Sequence, residues 1–398
     1  MSGLAYLFER FPAFGQTFCY REVAELKRQG CDFPIFSIRK PVAHWHDNWD
    51  SRLTDSVQYL PPESELLDAV ESARRAGSLP SLAVAAIDAW KRRGDFLRLQ
   101  QAAYLGPQLR AGGVRHIHAH FAGMAARTAY WIHKFFGLSY SFTAHANDIF
   151  VPSSFEIGLP QIVESAAAVI VVSDFAANFL RDRYPLHASK LHRIYNGVEI
   201  GQPQPLDHER ANPLVLSVGR LIAKKGFGHL ITACAVLRDR GCAFRCEIIG
   251  DGPLRADLEQ QIHSAHLESI VRLRGAQDQV GIAASLASAA LFVLPSVVDR
   301  DGGMDNLPTV IMEAMAAGLP VVATRLAGIP EMVADQETGR LVPERDVPAI
   351  ASAIEELLDD PRYARALGER GKAVATERFS ISANVSALAS IFGRFVGS

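Results

Sequence analysis

Two carboxylates and three cations in the second half of this chain have the types and spacing of an anion site flanked by hydroxyl-binding groups. Asp305 and Glu313 sit at either end of a helix start, DNLPTVIME, that follows a Gly-rich polar loop from Asp299 to Asn306. Upstream, Arg220 leaves an apolar run directly into LIAKKG, so that Lys224 and Lys225 fall just before another helix. A guanidinium fork and a Lys ammonium near a helix N-terminus suit a diphosphate. Carboxylates cannot face phosphate oxygens, so Asp305 and Glu313 would suit the sugar and ribose hydroxyls on either side. The plainer alternative is an acid complementing a helix dipole, a solvated Glu and a solvated basic loop.

The first half carries histidines. Arg115 to Phe121 reads RHIHAHF, a strand with His116, His118 and His120 on one face by period-two alternation. Ser139 to Asp148 reads SYSFTAHAND, a strand that delivers His145, Asn147 and Asp148 into a loop. Ligands of open parallel sheets bind outside the carboxyl ends of the strands, which places His145 better than the other three to meet substrate. Three histidines on one strand face invite a metal, but the sequence brings no convergent carboxylates to them, and they read as core and supporting residues. Gly15, in the loop Glu9 to Thr17 after a first strand (Leu4 to Phe8), would let a phosphate or sugar approach the backbone closely, or would simply serve a turn.

The elements that position these groups alternate strand and helix. Leu291 to Leu294 is a short apolar run, the helix after the loop starts between Asn306 and Thr309 and ends at Ala317-Gly318, and Pro320 to Thr324 is a second buried strand. Asn306 is a suitable N-cap, Pro308 fits the first turn and Gly318 fits C′. This is a βαβ unit whose helix N-terminus offers N–H groups to an anion. Glycines recur at strand ends: Gly219 before Arg220, Gly250 and Gly252 around Asp251, and Gly275 before Ala276. They leave backbone amides open along the rim of a sheet, as a nucleotide requires.

Further strands are expected at Asp32 to Arg39, Ala168 to Ser173, Leu191 to Asn196, Leu214 to Gly219, Phe244 to Gly250 and Val271 to Gly275, with helices at Phe227 to Arg240, Pro253 to Leu267 and from about Pro348 onward. The α/β alternation restarts after a Pro-, Gly- and charge-rich stretch, Val198 to Asn212, which reads as a linker. Two doubly wound domains result: 1–200 and 213–379, separated by residues 201–212. Residues 41–112 are less regular, with Trp45, Trp49 and the basic Lys91, Arg92 and Arg93. They suit an acceptor cleft, a membrane-facing edge or plain helices packed on a sheet.

Composition sets bounds on function. A chain of 398 residues exceeds one ordinary core. A net charge of -2 carries no basic excess for nucleic acid. No apolar run approaches a membrane span, and the N-terminus lacks the pattern of a secretory leader, so the expectation is a cytoplasmic protein. Five scattered cysteines fit reduced thiols, and Cys242 with Cys246 has no second Cys/His pair to complete a zinc site. No GxGxxG follows the first strand and no GxxxxGK[ST] is present, against dinucleotide dehydrogenases and P-loop enzymes. Asp299-Arg300-Asp301 resembles the metal-holding Asp-x-Asp of single-domain transferases, but stands in the last third of a two-domain chain.

Taken together, SVGRL with KKG (Ser217 to Gly226), IIGDGP (Ile248 to Pro253), NGV (Asn196 to Val198) and DNLPTVIMEAMAAGLPVVAT with GIPE (Asp305 to Glu331) resemble glycosyltransferase family 4 over nearly the whole chain. FPAFGQTF, HIHAHF and FTAHANDI are most similar to its exopolysaccharide branch, including colanic-acid-type enzymes. The resemblance implies a GT-B fold, two Rossmann-like domains facing each other across a cleft that closes over the donor. The N-terminal domain would bind the acceptor, the C-terminal one the donor, and the final helix, 380–398, would return to the first domain. It implies a retaining, metal-independent hexosyltransferase that takes a UDP- or GDP-sugar and needs no cofactor. The acceptor would be a lipid-linked oligosaccharide at the inner face of the membrane, with the enzyme peripheral there, or a small soluble molecule. Carried onto this sequence, Arg220 and Lys225 would hold the donor diphosphate and Glu313 the ribose. Asp305 would take the first acidic position of the family's E-x7-E pattern, where Glu is usual, near the donor sugar. Gly303, Met304, Asn306 and Leu307 would supply amides, together with the glycine rim (Gly219, Gly250, Gly252) and Ala276. Gly15 would face the diphosphate, and His145 would contact the donor sugar. The departing diphosphate would take the acceptor's proton in a same-face substitution. A nucleotide-sugar epimerase of the same architecture is the rival enzyme, and a non-catalytic nucleotide-sugar binding module the rival outside catalysis.

Overall fold

The computed structural model describes residues 3–42, 49–91, 93–201 and 212–397. Most of the expected linker, and Trp45 and Arg92, lie outside these residues. The chain divides into two compact units: the described residues up to Ile194 together with those from Val385, and Tyr195–Asn384.

The first unit is built on seven parallel strands: β1 (Leu4–Arg10), β2 (Ile35–Arg39), β3 (Val57–Tyr59), β4 (His116–His120), β5 (Ser139–Ala144), β6 (Ala168–Val171) and β7 (Leu191–Arg193). Their order is β3-β2-β1-β4-β5-β6-β7. The second unit has β8 (Leu214–Val218), β9 (Arg245–Ile249), β10 (Val271–Gly275), β11 (Leu291–Leu294), β12 (Val321–Thr324) and β13 (Gly339–Val342) in the order β10-β9-β8-β11-β12-β13. All registered neighbours are parallel. Helices cover both faces of such sheets, so the central strands, β4, β6, β8, β11 and β12, are buried along their whole length. In each unit the order reverses beside the first strand, between β1 and β4 and between β8 and β11. Crevices for ligands open at such reversals, outside the carboxyl ends of the strands.

Several expectations are corrected. The helix after β11 is Thr309–Ala316, at the late end of the expected range, with Pro308 rather than Asn306 as its N-cap. A residue preceding proline is disfavoured in the α region, so Leu307 cannot join a helix that would have to pass through Pro308. The Asn306 carbonyl instead accepts the Gly328 N–H at 3.0 Å. Gly318 does end the helix, at φ +84°. Strand β5 ends at Ala144, so His145 opens the following loop as expected, but Asn147–Phe150 within it is a short helix. Strands β3 and β13 were not anticipated.

Residues 51–111 form helices Ser51–Thr54, Glu63–Arg75, Ser81–Ala89 and Phe96–Ala111, whose Leu66, Val70, Ala83, Ile87 and Leu99 join the first unit's core. Trp90 packs edge-on against Trp131, and Trp49 packs near Tyr20. These helices thus pack on the first unit's sheet. Among the described residues no helix is long and apolar enough to cross a membrane. The end of the last helix (Ile381–Val396) returns to the first unit, where Phe392 lies against Tyr6 and His118, and Phe395 stacks on His116 at 4.6 Å.

One glycine is required by the turn that aims the basic loop. Gly226 has φ +69°, and a Cβ there would stand 1.9 Å from the Pro295 carbonyl oxygen, just after β11. Gly226→Ala combines left-handed backbone strain with a backbone clash. It is expected to destabilise the second unit by about 3 kcal/mol or more, read as a lowered urea midpoint. A change below about 0.5 kcal/mol, the scale of ordinary surface substitutions, would show that the loop is free to move away from Pro295.

Candidate active site

At the β8/β11 reversal, the loop after β8 and the loop after β11 interlock. The Val297 N–H donates to the Lys224 carbonyl at 2.9 Å. Gly219 lies where any Cβ would be 3.3 Å from the Lys225 side chain, so the Lys225 stem passes over a bare backbone. Gly250 abuts Gly219, and Gly252 abuts Leu221, each too closely for a Cβ. The glycine rim thus packs the backbones of the loops after β8 and β9 together.

Asp305 is the centre of this arrangement. It is only 8% exposed. Lys225 Nζ stands 2.8 Å from Oδ2 and Lys224 Nζ 3.6 Å from Oδ1. The Ser296 hydroxyl donates to Oδ2 at 2.8 Å, and the Thr324 hydroxyl holds the Ser296 carbonyl at 2.6 Å. Lys224 also donates to the Met304 carbonyl at 3.4 Å. Burial works to raise the Asp305 pKa, but Lys225 and then Lys224 outweigh it and hold the carboxyl below its usual value. Burial depresses Lys224, with Asp305 opposing and Lys225 and Arg220 adding to the depression. Arg220 is exposed, and its guanidinium makes no hydrogen bond or ion pair among the described residues. Lys224 and Lys225 thus gather on the one carboxylate of Asp305, with Arg220 nearby after β8.

Asp305 was expected to present its carboxylate to a sugar. In this structure its oxygens are engaged by two ammonium groups and a hydroxyl, so it fixes the lysines. A carboxyl held low stabilises the fold above the ordinary range near about 3.9, and that contribution fades as pH falls through the lower folded value. Asp305→Asn should therefore be markedly less stable than the parent at pH 7, and the gap should begin to narrow near the ordinary carboxyl range and close only as pH falls through the parent's lower folded value. Thermal unfolding across pH checks this; a gap independent of pH would remove the ion pairs from the account.

Gly303 was expected to offer its amide, but its N–H is taken by Asp301 at 2.8 Å. Asp299 likewise accepts the Arg300 N–H, so the Asp-x-Asp carboxylates brace their own loop. The N–H groups of Met304, Leu307, Thr309 and Val310 make no hydrogen bond among the described residues. Asn306 and Leu307 are buried, and Glu313 is half-buried on the helix they lead into. Ala276 follows β10 in a half-buried loop, away from the reversal by two strands.

In the first unit, Gly15 is exposed in a short turn after β1, and His145 follows β5. The His145 N–H donates to Asp148 at 3.1 Å, as do the Ala146 N–H at 2.7 Å and the Ala122 N–H at 3.0 Å, so one carboxylate ties the ends of β4 and β5. The His145 ring is buried. His120 Nδ1 is 3.2 Å from its Nε2, and burial followed by His120 depresses its pKa. His116 and His118 are spent on Ser139, Ser141 and Thr143 across the sheet. His120 differs. Its Nε2 is 3.0 Å from Glu22, and its Nδ1 is also 3.4 Å from Cys19 Sγ. Burial would lower the His120 pKa, but Cys19 and Glu22 outweigh it and raise it to about 10. The sequence reading missed Cys19 and Glu22. Their spacing of three on helix Thr17–Arg28 was the available signal, since it puts both on one face.

Comparison with known proteins follows the same division. Residues 201–374 match the family described as Glycosyl transferases group 1, and 16–202 match Glycosyltransferase Family 4. WcaL of Salmonella typhimurium, a glycosyltransferase ascribed to colanic acid biosynthesis, is 30% identical over 372 residues, covering 89% of this chain and 90% of that protein. The chain belongs to this glycosyltransferase family. The match to Escherichia coli WcaL is shorter, 43% identity over 145 residues, and spans 36% of each protein. A crystal structure of HepE from Anabaena in complex with UDP superposes with a TM-score of 0.73 at 19% identity, covering 98% of this chain and 99% of that one. This last likeness shows that the glycosyltransferase has the GT-B fold.

Proposed function

We propose that this glycosyltransferase moves a sugar from a UDP- or GDP-sugar to an acceptor hydroxyl, with retention and without a metal on the diphosphate, in exopolysaccharide or related glycoconjugate synthesis. The observation that carries the reading is the cation set Arg220, Lys224 and Lys225 around a buried Asp305, beside the unbonded amides of Met304, Leu307, Thr309 and Val310. Those amides head an eight-residue helix, whose dipole favours an anion at this end. A diphosphate resting on them meets the cations Arg220, Lys224 and Lys225, which stabilise the departing nucleotide diphosphate where a metal would otherwise serve. Glu313 takes the ribose hydroxyls. Asp305 orients the lysines and, in this reading, lies next to the donor sugar. Gly15 and His145 stand at the carboxyl ends of β1 and β5, from which the family resemblance has them meet the donor.

The UDP complex of HepE and the pathway ascribed to WcaL support a nucleotide sugar as donor and a glycan as acceptor; a small soluble acceptor is the alternative. The protein incubated with radiolabelled UDP- and GDP-sugars and a bacterial lipid extract is expected to transfer label to the lipid fraction equally with and without EDTA. Turnover abolished by chelation would contradict the metal-free reading. Epimerised or free sugar formed without acceptor would favour the epimerase.

A further inference from the structure

We propose that Cys19, His120 and His145 form a zinc(II) site in the first unit, with Glu22 as the carboxylate that orients His120. The atoms that converge are Cys19 Sγ, His120 Nδ1 and His145 Nε2, separated by 3.4 Å from sulfur to His120 and 3.2 Å between the rings. All three lie within 4.8 Å of one another. Zinc–nitrogen bonds of about 2.0–2.1 Å and a zinc–sulfur bond of about 2.3 Å, set tetrahedrally, place neighbouring ligand atoms about 3.3–3.6 Å apart. The two separations at His120 are close to that size, and Cys19 Sγ and His145 Nε2 lie within 4.8 Å of each other.

The surroundings supply what a bound ion needs. His120 Nε2 is 3.0 Å from Glu22 Oε1, and the Tyr6 hydroxyl donates to the same oxygen at 2.7 Å. A carboxylate on the far nitrogen of a ligating imidazole fixes its tautomer and raises its basicity, leaving Nδ1 for the ion. Cys19, His120 and His145 are each less than a tenth exposed. Phe8 stacks on His120, while Phe18 and Phe121 pack on His145, so both rings are held in place. One thiolate and two imidazoles form a borderline-soft set that prefers zinc over magnesium or calcium, and three ligands leave a fourth position open. Binding replaces the hydrogen shared at His120 Nδ1 and the Cys19 thiol proton, both released to solvent.

The site's ligands all belong to the first unit, whereas the loops proposed to hold the diphosphate belong to the second. Occupancy would withdraw the His145 ring from a sugar; that consequence rests on the proposed donor role of His145, whereas the binding itself does not.

The test is metal binding by the full chain, stripped with chelator and exchanged into chelator-free buffer. Titration with zinc against a chromophoric competitor is expected to show one tight equivalent. Cobalt(II) in its place is expected to give a near-ultraviolet thiolate-to-cobalt band and the strong visible bands of a tetrahedral ion. Cys19→Ser should abolish the thiolate band, His145→Ala should weaken zinc binding by more than about tenfold, and Glu22→Gln should weaken it by about tenfold. Cys31→Ser and Cys242→Ser should leave both readouts unchanged. The parent protein's cobalt spectrum needs no variant to fold. Absence of a tight zinc equivalent, absence of the thiolate band, or a band that persists in Cys19→Ser would overturn the proposal.

Discussion

Lys225→Ala is expected to lower turnover by more than about a hundredfold, equivalent to roughly 3 kcal/mol of lost transition-state stabilisation. The ammonium has two duties in the proposed mechanism. It neutralises the departing diphosphate, and it is the nearer of the two cations that compensate Asp305, at 2.8 Å against 3.6 Å for Lys224. Removing it leaves a buried carboxylate on one distant ammonium and one hydroxyl. Breaking a buried pair costs about 3–5 kcal/mol when nothing else compensates, and Lys224 keeps this case toward the lower end. Lost folding and lost chemistry are separable. In Lys225→Ala/Asp305→Asn the orphaned charge is gone, so stability should recover most of the loss while turnover stays low. Recovery of turnover along with stability would assign Lys225 a purely structural duty.

Glu313→Ala is expected to be comparably severe, again more than about a hundredfold, for a different reason. Glu313 lies on the helix Thr309–Ala316, whose Ile311, Met312, Ala314 and Met315 are buried while Glu313 stays half-buried. A helix anchored by four core side chains fixes its carboxylate relative to the amides at its N-terminus. A carboxylate accepting from the two ribose hydroxyls makes charge-assisted bonds, each stronger than a neutral one. Glu313→Gln keeps one acceptor oxygen and should fall between parent and Glu313→Ala. Because the side chain is not part of the core, both variants should melt within about 1 °C of each other. Near-parental kcat/KM for Glu313→Ala would remove the residue from the site.

Much of the fold was legible because parallel strands buried on both faces are written as unbroken apolar runs. Leu291–Leu294 was placed to the residue on that signal. Strands β3 and β13 are VQY and GRLV, too short and too mixed to stand out from loops. The site was legible where it is local in sequence. The basic loop, the glycine rim and the acidic pair could be picked out as types at a spacing. What could not be read was how they meet. Lys224 and Lys225 reach Asp305 only because β8 and β11 become neighbours, a pairing that sequence distance conceals. For the same reason the lysines' hold on Asp305 was not read, and the histidine face was expected to lack a carboxylate until helix Thr17–Arg28 brought Glu22 against it. Only the N-cap of the helix after β11 was misplaced: Asn306 suits a cap by residue type, although the proline's effect on its predecessor is the firmer constraint and makes Pro308 the cap.

The most direct measurement is calorimetric titration of UDP and GDP into the full chain and into Lys225→Ala, in EDTA. Binding of at least one nucleotide by the parent without a divalent ion, weakened more than about tenfold by the substitution, is the predicted result. Binding that requires manganese or magnesium, or that is indifferent to the loss of Lys225, would contradict it.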